Sequence, residues 1–89
     1  MAGRRVVVAA LSPADPAGDP SVSASRALWR EGWEVIHLGS GVSPAAVVAT
    51  AVQEDVLDVV VVGGAADVTS VREAFDAAGE TDITVRSAR

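Results

Sequence analysis

Cysteine is absent from the 89 residues, so disulfides and thiolate metal sites are excluded. Lysine is absent too, and all seven basic residues are arginines. That removes a Walker-type phosphate loop, a Schiff-base lysine and the lysine a receiver domain needs. Aromatic side chains are reduced to Trp29, Trp33 and Phe75, and histidine occurs once, at His37. No apolar run approaches the roughly 20 residues of a membrane span. The run Val6 to Leu11, behind Arg4 and Arg5, is too short for a signal-peptide core before Pro13 closes it. A cytoplasmic location without membrane contact is the expectation.

What remains is valine, alanine and acid. Apolar residues make up 49% of the chain and mean hydropathy is +0.34, values of a folded chain. The length suits one small domain over residues 1–89, with a modest core and a thin stability margin. Formal net charge is −5, and the arginines are scattered at 4, 5, 26, 30, 72, 86 and 89. A nucleic-acid partner needs a clustered basic face, and the spacing offers none.

Apolar runs alternate with helical patterns. Arg4 to Leu11 reads as a strand, and its continuous Val6-Val7-Val8 suits a sheet covered on both faces. After a loop from Ser12 to Gly18, Asp19-Pro20 is a strong helix start: a capping carboxylate, then a proline at the first turn. This helix is expected to run to Glu31, end at Gly32, and turn Ala24, Ala27, Leu28 and Val22 to the sheet. Trp33 to Leu38 is a second strand, and Gly39-Ser40-Gly41 a turn. Ser43-Pro44 opens a second helix to Glu54, with Val47, Val48, Ala51 and Val52 as its buried stripe. Leu57 to Val62 is a central strand leaving through Gly63-Gly64. A third helix starts near Asp67 or Thr69, with Ser70 and Glu73 as an alternative cap, and ends at Gly79. Asp82 to Arg86 is a fourth strand. The pattern predicts a three-layer α/β fold: a flavodoxin-like (Rossmann-like) doubly wound parallel sheet of four strands, order 2-1-3-4, and three helices.

From Arg26 onward the residues resemble a known family. Arg26-Ala27-Leu28, Glu31-Gly32-Trp33-Glu34-Val35-Ile36 and Gly39 match the cobalamin (vitamin B12)-binding domain of acyl-CoA mutases such as methylmalonyl-CoA mutase. Ser43-Pro44, Ala51 to Val56 and Asp58-Val59-Val60 continue the match, which covers roughly residues 4–78. In that family the first loop carries Asp-x-His-x-x-Gly, whose histidine ligates cobalt and whose aspartate orients it. Placed without gaps, Asp15 matches the aspartate, Ala17 stands at the histidine and Pro20 at the glycine. The family's Ser-x-Leu falls on Gly63-Gly64-Ala65, and its later Gly-Gly has no counterpart before the chain ends. The resemblance implies a fifth strand and another helix, so the chain reads as a degenerate, truncated domain with an open sheet edge and incompletely covered faces.

Cofactor-contacting candidates follow by position alone: Asp15, Ala17, Gly39, Gly63 and Gly64. Against this, Asp15 reads more simply as a turn residue and Asp19 as a cap; two carboxylates without a third ligand make no cation site. His37 lies on the wrong strand for the family's cobalt ligand. Gly63-Gly64 is equally a ligand approach or a plain turn, and Trp29 is equally an outward interface marker or a side chain half-buried at the helix end. No Ser/His/Asp constellation or paired carboxylates emerge from the spacing, so no catalytic residue is assigned.

Two functions are expected from this. One is a cobalamin-binding-like accessory or structural subunit of a B12-dependent mutase, partnered by the catalytic chain or by its own copies. The alternative is a true module holding cobalamin base-on, or another nucleotide-like ligand, at the carboxyl edge of the sheet. A share in an isomerase site ranks last.

Overall fold

The valine runs become the middle of the sheet. In the computed structural model, which describes residues 4–88, β1 (Arg5–Ala9) and β3 (Asp58–Val61) are central, and β2 (Glu34–Gly39) and β4 (Thr84–Ser87) flank them. Met1 to Gly3 and Arg89, the last of the scattered arginines, lie outside the described residues. The strand order is β2-β1-β3-β4 and every pairing is parallel. Helices α1 (Pro20–Arg30), α2 (Pro44–Gln53) and α3 (Ala65–Ala77) complete a flavodoxin-like α/β fold of three layers.

The layers are unequal. On one face α2 and α3 press Val47, Ala51, Val68, Val71 and Phe75 onto Val7, Ala9, Val59, Val61 and Val85. On the other, α1 alone contributes Leu28 against Val6, Val8 and Val60. The rest of that face is finished by long side chains. Arg4 stacks on the Trp33 ring at 4.4 Å and Arg86 reaches the same ring at 5.9 Å from the far edge strand. Arg4 also pairs with Asp58 at 3.5 Å. Arginine stems can cover hydrocarbon while their heads stay in water. Val60, in the same cluster as Leu28, is 1% exposed.

All three helices differ from their sequence reading. On α2 the expected stripe loses Val52, which is 49% exposed at the far end of the helix. The buried stripe of α1 is Ser21, Ala24 and Leu28, while Val22 and Ala27 face outward. The cause is Ser21, whose hydroxyl bonds to a side chain of β2 and rotates that edge of the helix inward. Helix α3 starts earlier, at Ala65, with Gly64 as its cap and no side-chain cap bond. The amides of Asp67 and Val68 bond to the Gly64 carbonyl instead, at 3.1 and 3.2 Å. Asp67 thereby falls in the first turn, where the helix dipole favours an anion.

Gly39, expected in a turn, is the last residue of β2. The β1–β2 register runs Val8↔His37, then Ala9↔Gly39, which leaves Leu38 as a bulge. Gly39 takes a φ of +86° there, a conformation side chains resist. Among the described residues, no helix is long and apolar enough to cross a membrane.

Candidate functional site

Doubly wound sheets bind ligands beyond the carboxyl ends of their strands, where neighbouring connections diverge to opposite faces. Here that point lies between β1 and β3. A cleft of about 380 Å³ opens there, lined by Ala10, Ser12, Pro13, Pro20, Val62, Gly63, Ser87 and Ala88. Its size is at the low end for small-molecule sites. Among the described residues, two serines are its only polar side chains and no cation lines it to meet a phosphate.

The rim is built by backbone bonds between loops. Gly41 N–H donates to the Ser12 carbonyl at 2.9 Å, and Val42 N–H to that of Ala10 at 3.2 Å. These bonds staple the β2–α2 connection to the loop after β1. Pro20, the first residue of α1, lines the cleft.

Of the five positions singled out by sequence, Gly63 lines this cleft. A Cβ on Gly63 would collide with the Asp67 carboxylate, so packing against the first turn of α3 accounts for the glycine. Gly64 is the α3 cap and Gly39 closes β2. Asp15 and Ala17 sit exposed on the loop. The Asp15 Oδ1 accepts from the amides of Ala17 at 2.8 Å and Gly18 at 3.1 Å. Its carboxylate is thus folded onto its own turn, and Ala17 offers no donor. The residues present therefore do not fit ligation of a cobalt ion from this loop. Among the described residues no group of three His, Cys, Asp or Glu side chains is placed to hold a metal ion.

A second constellation, which the sequence spacing did not join, stands beside the cleft. Asp19 Oδ1 accepts three bonds: from Ser21 N–H at 2.9 Å, Ser21 Oγ at 2.6 Å and Ser40 Oγ at 2.6 Å. His37 Nε2 lies 2.7 Å from Ser21 Oγ. A hydroxyl has one proton, and Ser21 gives it to Asp19. His37 must then carry its proton on Nε2 and donate to Ser21. The order His37 → Ser21 → Asp19 is the reverse of a nucleophilic triad, in which the serine gives its proton to the histidine. Ser21 is also 0% exposed. The cluster is an anchor, not an acyl-transfer site. The Ser21 and then the Ser40 hydroxyl hold the Asp19 carboxyl below its ordinary range, against an opposing effect of burial.

The missed signal was strand alternation. Val35 and His37 share one face of β2, the face that α1 covers, so a polar partner on α1 was required. His37 lines a separate groove with Val35 and Trp29, away from the β1–β3 cleft. Trp29 itself projects outward at 71% exposure.

The fold is similar to that in the 1.5 Å crystal structure of a novel cobalamin-binding protein from Desulfitobacterium hafniense DCB-2. The TM-score is 0.73 at 21% identity, over 94% of this chain and 43% of that one. This chain spans less than half the length of that protein, and at this identity the likeness is one of fold. No protein-family model matches the sequence, and no curated protein matches it.

Proposed function

We propose that this chain is a cobalamin-binding-type domain that has lost cobalt ligation and serves as a small accessory or structural subunit. Its partner on this reading is the catalytic chain of a B12-dependent acyl-CoA mutase-type assembly. The sequence resemblance and the fold of the Desulfitobacterium protein support the family type. One observation carries the loss of function: Ala17 stands where the ligating histidine belongs, and the Asp15 carboxylate is spent on the amides of Ala17 and Gly18. The chain has no turnover of its own on this reading.

A second reading is favoured by the open cleft at the β1–β3 switch point. There the domain would hold cobalamin base-on, or another nucleotide-like group, with Gly63 at the lining and Pro20 narrowing the entrance.

The deciding experiment is titration of the purified protein with adenosylcobalamin and hydroxocobalamin, followed by UV–visible spectroscopy and equilibrium dialysis. The accessory reading expects neither a spectral change nor retention at high micromolar cofactor. Saturable retention with an unchanged base-on spectrum moves the second reading to the front. A saturable base-off spectrum overturns both, because one expects no binding and the other expects the cofactor's own base to stay on cobalt.

A further inference from the structure

We propose that the outer face of α1, centred on Trp29, docks an acidic segment of a partner protein that inserts one apolar side chain beside the indole. The inference deepens the accessory-subunit reading and rests on it for the existence of a partner; it is independent of cobalamin.

Trp29 is the most exposed large hydrophobic among the described residues, at 71%. Beside it lies a groove of about 230 Å³ lined by Ser25, Arg26, Val35 and His37. That volume falls below the few hundred Å³ of ordinary ligand pockets and suits a single side chain. The Ser25 Oγ is shielded from water and has no hydrogen-bond partner in the protein. Val22 adds exposed hydrocarbon further up the helix, at 36%. Tryptophan and arginine flanking a small pocket are the residue types that dominate binding energy at protein interfaces.

Charge selects the occupant. The chain carries a net charge of −5, yet α1 contains Arg26 and Arg30 and no acid. By contrast, α3 carries Asp67, Glu73 and Asp76 against one arginine. Arg26 and Arg30 stand four residues apart, a spacing at which like charges repel along a helix. Neither takes part in an ion pair among the described residues. An acidic partner segment relieves that repulsion. A second copy meeting this face across a two-fold axis would bring the same two arginines to it and no acid from α1. Two arginines on an acidic chain are too few to hold a nucleic acid.

The probe is a synthetic peptide with glutamates on both sides of a single phenylalanine, and its control has lysines in place of the glutamates. Each is titrated into the ¹⁵N-labelled full chain and followed by NMR. The expected result is saturable shifts confined to the Trp29 indole and the amides of 22–37, weakening as salt is raised and absent with the lysine peptide. Trp29→Ala, and separately Arg26→Glu with Arg30→Glu, each weaken binding by about tenfold or more. Trp29 is exposed, so its replacement leaves the fold intact. The proposal is overturned by shifts elsewhere, by equal binding of the lysine peptide, or by no shifts at millimolar peptide. It is also overturned by a dimer in light scattering that Trp29→Ala dissociates, since the occupant is then a second copy. A mutase chain that binds Trp29→Ala as tightly as the native protein sinks the docking face and leaves the accessory reading standing. Peptide binding at this face without any mutase association does the reverse.

Discussion

The two faces of the sheet are built on opposite rules. The face under α2 and α3 buries eleven hydrophobic residues, Phe75 among them. Among the described residues no polar residue is fully buried there, Arg5 and Arg72 bonding to Glu54 and the Val85 carbonyl at its margins. The face under α1 buries four. It is completed by a buried serine, a tryptophan and two arginines that reach across it. Stability therefore concentrates on the first face. The second face trades hydrocarbon for directional bonds, and the same helix that supplies those bonds presents Trp29 outward. A thin layer tied by hydrogen bonds leaves α1 free to carry an exposed surface, because little of its own stripe is needed for the core.

Large-to-small truncations break this comparison most directly. Phe75 is 2% exposed at the centre of the larger cluster, and Phe75→Ala is expected to cost about 3–5 kcal/mol. Leu28→Ala, on the smaller cluster and already 7% exposed, is expected near the lower limit of its class, about 2 kcal/mol. Urea melts of the two variants measure the difference. Equal losses would mean that the polar finish of the α1 face is as tightly coupled as the hydrocarbon core opposite.

A smaller effect separates the two serines of α1. Ser21 Oγ bridges Asp19 and His37, so Ser21→Ala strands a charge-assisted partner and is expected to cost about 1–2 kcal/mol. Ser25 Oγ is shielded and unpaired, so Ser25→Ala is expected to be neutral or slightly stabilising. Thermal denaturation of both variants checks the contrast. A similar loss from each would show that serine volume, not hydrogen bonding, holds α1 in its rotation.

The regular parts of this fold were legible because each carried its own local signal. Asp19-Pro20 and Ser43-Pro44 are caps whose side chains bond the amides of Ser21 and Ala46 as their spacing implies. The valine runs of β1 and β3 announced central strands, and alternation announced a parallel sheet. The rotation of α1 was not legible from apolar spacing, since Val22 and Ala27 fit a stripe with Ala24 and Leu28 and Ser21 is not apolar. The decision was made by a hydrogen bond to His37, sixteen residues away in sequence. The stacking on that face was hidden for the same reason: it depends on Arg86 of one edge strand reaching a ring beside the other. In the candidate site, the want of a side-chain donor at Ala17 was visible directly, whereas the Asp19–Ser21–His37–Ser40 cluster required the tertiary fold.

The smallest effect is a pH dependence confined to the α1 side. Hydrogen bonds from Ser21 and Ser40 lower the Asp19 pKa in the folded chain. A group depressed on folding stabilises the native state above its unfolded pKa, and that contribution disappears as pH falls through the folded value. The relevant window lies below about pH 4, where an unfolded aspartate begins to take up its proton. Asp19→Asn removes this titration while keeping a side-chain oxygen for the helix cap. Urea midpoints measured from neutral pH down through that window should fall less steeply for Asp19→Asn than for the native chain, with the two curves converging at the acid end. The other carboxylates supply a common background that cancels between the two proteins. Parallel curves would mean that the three bonds on Asp19 Oδ1 are made equally well to the protonated acid, and that the anchor of α1 is a cap without charge.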